Sequence, residues 1–474
     1  MVDYRKKYIK YKNKYLTELK YLNNKSKKKI HNKSLKGGEC SPIINIEKYQ
    51  NIKIDIKDLT TLHNNRLFNL IIPSNRLQET SHLFSNQIKD LNSISNQKGS
   101  GRCWMFAALN VIRHKFIKKF NLKNDFEFSE NYLFFYDKFE RVNFTLNLFQ
   151  KLHNKGEKVN SRLLMHILSS PLDDGGCWHM FINLVNKYGL IPKSVFPETQ
   201  HSSSSGDINH MLNKILITSF KNIQNNTFNK DAILHNVYML LIQCFGQPPT
   251  TFDWEYLDKK DKYKIKKNCN PLDFYKSTKI DLSDYIFLIN DPRNPYEKNY
   301  SVDYLSNVEE GMYAKYLNVS IDTIKECTKK SIDSNESVFF GCNVSKFLLG
   351  KNHLLDLEIY NYEELIDIDL ELSKKEELIY CDTTPNHAMV ITGYNKIDNT
   401  INRWQIENSW GSDKNNKDND IDYKGYYTMT DKWFDKYVYM VVVNSKYVSN
   451  DIKKKWNTPV DTNYPLWDPF GSLA

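Results

Sequence analysis

The residues able to do chemistry fall in three separated segments. In Gln97-Lys-Gly-Ser-Gly-Arg-Cys103-Trp-Met-Phe-Ala-Ala-Leu-Asn110 a cysteine follows a glycine-rich turn and opens a helical pattern. Partial positive charge at a helix N-terminus favours thiolate over thiol, which is what a nucleophilic cysteine needs. Gln97, six residues earlier, can return a side-chain N–H beside the sulfur and join the Cys103 backbone N–H as an oxyanion hole. The second segment, Pro385-Asn-His387-Ala-Met-Val-Ile391, puts a histidine at the head of a strand. The third, Trp404-Gln-Ile-Glu-Asn408-Ser-Trp410-Gly411, ends a strand on an Asn whose side-chain oxygen can orient an imidazole, with Trp410 shielding that bond from water. Taken singly, Cys103 reads as a buried structural thiol and His387 as a core histidine. Taken together, nucleophile, base and orienter in the chain order Cys, His, Asn have the logic of acyl transfer through a thioester.

The elements that must position them change character along the chain. Trp104, Met105, Leu109, Ile112, Phe116 and Phe120 recur at helical spacing, and helix-like segments continue through 131–136 and Leu163–Leu168. A low-complexity loop, His201-Ser-Ser-Ser-Ser-Gly206, follows. Residues 207–380 mix helical patterns with turn signals such as Gln247-Pro-Pro249 and Asn290-Asp-Pro-Arg-Asn-Pro295. From His387 onward the period becomes two, in 388–394, 403–408 and 437–443, which predicts strands of an antiparallel sheet or barrel. Helices early and strands late make an α+β protein with segregated halves. The sequence holds no internal repeat.

A chain of 474 residues suggests two or three domains at roughly 150 residues each. With 13% aromatic residues it can furnish sizeable cores, which excludes wholesale disorder. The net charge of +10 is unevenly placed: thirteen Lys or Arg in residues 1–36, against Asp3 and Glu18, give that arm +11 and leave −1 for the rest. Tyr4, Tyr8, Tyr11, Tyr15, Leu19 and Leu22 form a helical stripe in the arm, and Gly37-Gly38 breaks it. Such an arm reads as a solvated helix docked on its own domain, or as a targeting, nucleic-acid or membrane-surface contact, and the sequence does not choose. No segment approaches the roughly 18 apolar residues of a membrane span, and the N-terminus lacks the apolar core of a secretory signal. The eight cysteines are scattered singly, with neither CxxC pairs nor zinc-ligand spacing. The expectation is therefore no metal, no cofactor, mostly buried thiols and a reducing, cytoplasmic compartment.

Ser100-Gly-Arg-Cys103-Trp104 resembles the papain signature C-G-[SA]-C-[WY], with Ser100 in place of the upstream cysteine, so the disulfide typical of secreted members cannot form there. Cys103 and His387 lie 284 residues apart, about twice the roughly 130–150 of cathepsin-like enzymes. That spacing, the nucleophile segment, Asp174-Gly175-Gly176-Cys-Trp178-His-Met180, His387-Ala-Met389, Glu407-Asn408-Ser-Trp-Gly411 and Trp467-Asp-Pro-Phe-Gly-Ser-Leu-Ala474 closely resemble the bleomycin hydrolase and aminopeptidase C family. Asn386 stands where a Thr or Ser usually precedes the histidine.

The resemblance implies a papain-like cysteine peptidase fold, a helical half plus an antiparallel β-barrel half, with a large helical insertion. Its parts would be a basic arm at 1–38, a helical half with the nucleophile at 39–200, a mostly helical insertion at 201–380, a β half with His387 and Asn408 at 381–460, and a C-terminal arm at 461–474. It implies a homohexameric ring and an aminopeptidase acting on peptides with a free N-terminus. The C-terminal arm would block the non-primed side of the cleft, and the Ala474 carboxylate would receive the substrate's α-ammonium group. Gly175-Gly176 is either a tight loop or a wall against which substrate backbone passes, close approach being what glycine permits. Two rival readings stand beside this one: a papain-type endopeptidase with an open cleft, and a ring protein that binds nucleic acid without sequence preference through its basic arm.

Overall fold

A core helix and a set of strands buried on both faces organise the molecule. The computed structural model describes His63 and residues 66–472, apart from Asn92, 363–365, 367 and 413–422. The expectations for the basic arm, for Gly37-Gly38 and for Ala474 fall outside these residues. Helix α1 (Cys103–Phe120) is buried on nearly every side as far as Ile117, so it is a central helix rather than an amphipathic surface one. It stops where Asn121 turns left-handed (φ 52°) and donates its N–H to the Ile117 carbonyl, with Lys118 and Lys119 at the negative end of the helix dipole. Helices α2 (Glu130–Asn154), α3 (Arg162–Ser169), α4 (Trp178–Tyr188), α5 (Gly206–Gln224) and α6 (Lys230–Phe245) follow, with α5 and α6 packed on α2.

Twelve strands form the main sheet: β1 (Asn86–Gln87), β4 (Tyr285–Ile289), β5 (Lys298–Val302), β6 (Tyr316–Asn318), β7 (Val338–Cys342), β8 (Leu348–Leu349), β9 (Leu354–Leu355), β10 (His387–Ile397), β11 (Thr400–Glu407), β12 (Tyr426–Thr430), β13 (Val438–Asn444) and β14 (Thr462–Tyr464). Two further strands, β2 (Phe252–Leu257) and β3 (Tyr263–Cys269), make a separate hairpin. The order is β14-β5-β6-β4-β13-β7-β10-β11-β12-β9-β8, with β1 paired to β10. Neighbours run antiparallel except β4–β6, β5–β14 and β9–β12. The first nine residues of β10 are all buried. Ala388 and Val390 enter one core with α1, whereas Met389 and Ile391 enter a second with Ile324 and Ile332 of α7 (Ile321–Asp333). The sheet is thus the middle layer of three, with α1 on one face and α7 on the other.

The stretch 201–380, read from sequence as a mostly helical insertion, is helical over α5, α6 and α7 but from Tyr285 supplies β4 and β7 to the middle of the sheet, β5 and β6 toward one edge, and β8 and β9 to the other. Every residue of Tyr-Ile-Phe-Leu-Ile in β4 and of Val-Phe-Phe-Gly-Cys in β7 is buried. Strands covered on both faces read as short continuous apolar runs and carry no alternation to mark them. The chain divides into two units, Met1–Arg66 and Leu67–Ala474, and the elements above belong to the second.

Candidate active site

Cys103 is the first residue of α1, and the residue before it, Arg102, provides no side-chain cap. Helices α2, α3 and α7 are capped by Ser129, Ser161 and Ser320, each accepting a backbone N–H of the first turn. The contrast leaves the first N–H groups of α1 free to act at the sulfur. The loop before it is pinned from several sides. Arg102 is fully buried, donates to Glu198 at 3.0 and 2.8 Å and to Ser100 Oγ at 2.9 Å, and lies over the rings of Phe106 and Phe134. Ser100, at the position of the papain cysteine, passes its own O–H to the Gln97 carbonyl at 2.6 Å. Asp174 accepts the Gly101 N–H at 2.9 Å, Asn209 Nδ2 at 2.7 Å and the Ser205 hydroxyl, and it pairs with the buried Lys138 ammonium at 2.6 Å. Its carbonyl takes the Trp104 indole N–H at 2.7 Å. Asp174 thereby ties the nucleophile loop to the glycine pair that follows it.

The opposite side of the site comes from the sheet. His387 heads β10 and pairs directly with Cys342 of β7, and Asn408 follows the last residue of β11. His387 Nε2 lies 2.9 Å from Asn408 Oδ1, which leaves Nδ1 for the thiol. Trp410 covers the imidazole with its ring centroid 5.0 Å away, while 40% of the tryptophan stays exposed on its outer side. The turn that carries it needs Gly411: φ is +86°, and a Cβ there would stand 2.5 Å from the Asn96 amide. Gln97 joins the two sides. Its backbone N–H donates to the Ser409 carbonyl at 2.8 Å, and its Oε1 accepts the Ser409 hydroxyl at 2.6 Å. Its Nε2 donates one hydrogen to the Ser100 carbonyl at 2.7 Å and retains a second. Asn386 fixes the head of β10 by donating to Asn343 Oδ1 and Ser345 Oγ and accepting the Val344 N–H.

Burial dominates the electrostatics. It pushes the Cys103 thiol up to about 11, while backbone groups of Ala388, Trp104 and Cys103 act in the opposite sense and favour thiolate. The Ala388 contribution places the sulfur beside the residue next to His387. Burial likewise pulls the His387 imidazole down to about 4, against the Asn408 hydrogen bond. A lone charge on either group is disfavoured. Moving the proton from one to the other creates no net charge and sets the two ions against each other.

The glycine pair divides. Gly176 is buried, and a Cβ on it would come within 2.3 Å of the Trp104 ring, so close packing against α1 already requires glycine there. Gly175 is half-buried, and its carbonyl is held by Arg141 Nη2 at 2.5 Å. Trp178 and Met180 are core residues. The described part of the C-terminal arm reaches the histidine segment: the Ser472 hydroxyl donates to the Pro385 carbonyl at 2.9 Å and the Thr384 hydroxyl to the Pro469 carbonyl at 3.1 Å. A cavity of about 500 Å³ runs along this arm, between it, α2 and α3. Sequence reasoning missed roles for Lys138, Asp174, Arg102 and Ser409. Asp174 stood in a recognised motif, but its partners lie 35 or more residues away in α2 and 31 or more in the segment leading into α5 and within it.

All seven described cysteines are free, four of them buried and Cys381 exposed. The described residues contain no cluster of His, Cys, Asp and Glu suited to a metal ion and no helix long and apolar enough to cross a membrane. The Peptidase C1-like family matches residues 47–471. The chain is 39% identical to aminopeptidase C of Listeria innocua over 402 residues, 83% of this chain and 88% of that protein. It is 38% identical to bleomycin hydrolase of Mus musculus over 419 residues, 84% and 90% of the two. The crystal structure of PepW from Lactobacillus rhamnosis HN001 superposes with a TM-score of 0.81 at 36% identity, covering 88% of this chain and 94% of that one. An uncapped helix opening on a cysteine, a histidine and asparagine on adjoining strands, and these likenesses along nearly the whole chain agree: it belongs to the Peptidase C1-like family of papain-like cysteine peptidases.

Proposed function

We propose that this cysteine-type aminopeptidase releases N-terminal residues from peptides through a thioester formed on Cys103. The observation that carries the reading is the His387–Asn408 bond at 2.9 Å set beside the uncapped start of α1. Cys103 gives its proton to His387 Nδ1, and the thiolate attacks the first peptide carbonyl. The Cys103 N–H and the second hydrogen of Gln97 Nε2 receive the developing oxyanion. His387 returns the proton to the departing amine, then takes one from water, which cleaves the thioester and frees the acid. Asn408 keeps the ring in the orientation both steps need, and Trp410 keeps water from that bond. Gly175 borders the path of the substrate backbone.

The described part of the arm, which reaches Pro385 through Ser472, supports restriction to free N-termini, with the Ala474 carboxylate as the group that meets the α-ammonium. The free thiols fit a cytoplasmic setting, and a homohexamer with inward-facing sites completes the reading. Cys103→Ala is expected to abolish release of arylamine from aminoacyl-arylamides with the fold unchanged by circular dichroism. Undiminished turnover by that variant overturns the assignment.

A further inference from the structure

The described end of the C-terminal arm is held by something stronger than its two neutral hydrogen bonds to Thr384 and Pro385. Asp291, at the end of β4, is fully buried, and its carboxylate accepts from the Arg293 N–H at 3.0 Å, Arg293 Nε at 2.9 Å, Arg293 Nη2 at 3.0 Å, Asn294 Nδ2 at 2.9 Å and the Tyr464 hydroxyl at 2.8 Å. The guanidinium is therefore fixed before it meets anything else, and a fixed planar fork loses little freedom on taking another acceptor. That acceptor is Asp468 of the arm, at 2.9 Å from Arg293 Nη2. Both side chains are only about one-seventh exposed, 14% and 15%. The same guanidinium lies 5.8 Å from the ring of Phe470, a buried residue stacked on Tyr464 and edge-on to Tyr439. Asp468 also accepts the Phe470 N–H at 2.9 Å, so the residue that meets the arginine shapes the turn ahead of Ser472. Upstream, β14 is locked to β5 at Thr462–Tyr464.

We propose that Arg293 and Asp468 form the clamp that keeps the arm in the cleft, and so determine whether the enzyme accepts only free N-termini or also cuts blocked and internal peptide bonds. This rests on the reading above, in which the arm closes the non-primed side. With β14 fixed, the clamp is the one ion pair between the described residues after Tyr464 and the body, beside the Arg162 guanidinium that lies 4.5 Å from the Trp467 ring. Neither Arg293 nor Asp468 touches Cys103, His387, Asn408 or Gln97, so they are positioning residues: they act on specificity through the arm and leave bond-breaking alone. Charge-assisted, part-buried bonds of this kind are the stronger ones, and losing one multiplies the population of arms out of the cleft.

The test compares the full-length protein with Asp468→Asn, Arg293→Met, Asp468→Glu and a truncation lacking residues 471–474. The readout is the ratio of cleavage of an N-acetylated peptide to cleavage of the same peptide with a free amine, measured by mass spectrometry. Iodoacetamide alkylation of Cys103 serves as a check that the site is intact. Asp468→Asn keeps Asp291 paired and the Phe470 cap, so it folds even if Arg293→Met does not. Asp468→Asn is expected to raise the ratio roughly tenfold, the truncation to raise it at least as much, and Asp468→Glu, which keeps the charge, to restore the low value. A high ratio in the truncation beside an unchanged ratio in both clamp variants overturns the clamp and leaves the arm's role standing. An unchanged ratio in the truncation overturns the role of the arm and the clamp with it.

Discussion

The two sides of the cleft are held in place by opposite means. On the helical side, the loop before Cys103 is pinned by buried ions: Asp174 with Lys138, and Arg102 with Glu198. On the sheet side, His387 and Asn408 sit on a two-core sheet and meet through one hydrogen bond between uncharged partners. The difference follows from the backbone. β10 pairs with β7 from His387 to Ile391 and with β11 from Val390 to Ile397, so ladder register, with Asn386 holding the head of β10, sets where His387 and Asn408 stand. The Gly-Ser-Gly-Arg loop has only an isolated bridge at Gly99, and the Ser100 carbonyl and the Gly101 N–H are met by the side chains of Gln97 and Asp174. The loop that carries Cys103 is fixed largely by charge; the strand that carries His387 is fixed largely by pairing.

Breaking the helical side should cost most. Asp174→Ala leaves the Lys138 ammonium buried without its counter-ion, and removal of one partner of such a pair costs about 3–5 kcal/mol. The Gly101 N–H and the Ser205 and Asn209 side chains lose an acceptor at the same time. Urea denaturation should show that loss, together with a fall in kcat. Asp174→Asn with Lys138→Met, which removes both charges, should recover most of the stability. If the single Ala variant unfolds within about 1 kcal/mol of wild type, the ionic clasp is an ornament of the loop and the contrast between the two sides collapses.

On the sheet side, the buried carboxyl of Glu407, the last residue of β11, is pushed toward its neutral form. Burial raises it to about 7, against the attraction of Arg113, and its Oε1 has no hydrogen-bond partner. An acid whose folded pKa exceeds its unfolded value binds its proton more tightly in the native state. Its contribution is therefore complete below about 4.5 and is lost as pH rises through about 7. The shift corresponds to about 3 kcal/mol between pH 4.5 and 8. Glu407→Gln should remove that part of the slope, which urea midpoints for both proteins at pH 5 and pH 8 will reveal. Identical slopes would mean that the carboxyl is ionised inside the sheet, as charged as anything on the helical side.

The same contrast explains what could be read from the sequence. Cys103, His387 and Asn408 are legible because each sits in a compact local motif and the chain order of the three is informative. Trp410 is legible through its neighbours. Asp174 is not, since its meaning lies in Lys138 and Gly101, which no local pattern connects to it. Strands β4 and β7 are hidden because two-sided burial erases alternation. Gly176 was legible as a glycine that matters, but the structure supplies a cause the sequence could not: the Trp104 ring lies against it, buried and tethered by its N–H to Asp174. Gly176→Ala should therefore cost about 1–3 kcal/mol as overpacking. Thermal or urea unfolding tests this, and a neutral result would require the Trp104 ring to move freely inside the helical half.

The smallest expected effect on stability separates position from chemistry most cleanly. Asn408 is buried, and its Nδ2 has no partner, so the native state already bears an unmet polar group there. Asn408→Ala removes that orphan along with the bond to His387, and the two changes oppose each other. The net change in stability should stay within about 1 kcal/mol. Activity should respond differently, because an imidazole without its orienting partner samples rotations that point Nδ1 away from the sulfur. A fall in kcat on the order of 10²-fold is expected, with KM changed far less. The pairing of an intact denaturation midpoint with a deep loss of kcat is the signature of a side held by its ladder, in which the asparagine aims the base and does not hold the fold. A variant that loses stability as heavily as Asp174→Ala would show that the strands lean on this bond as the loop leans on its ions.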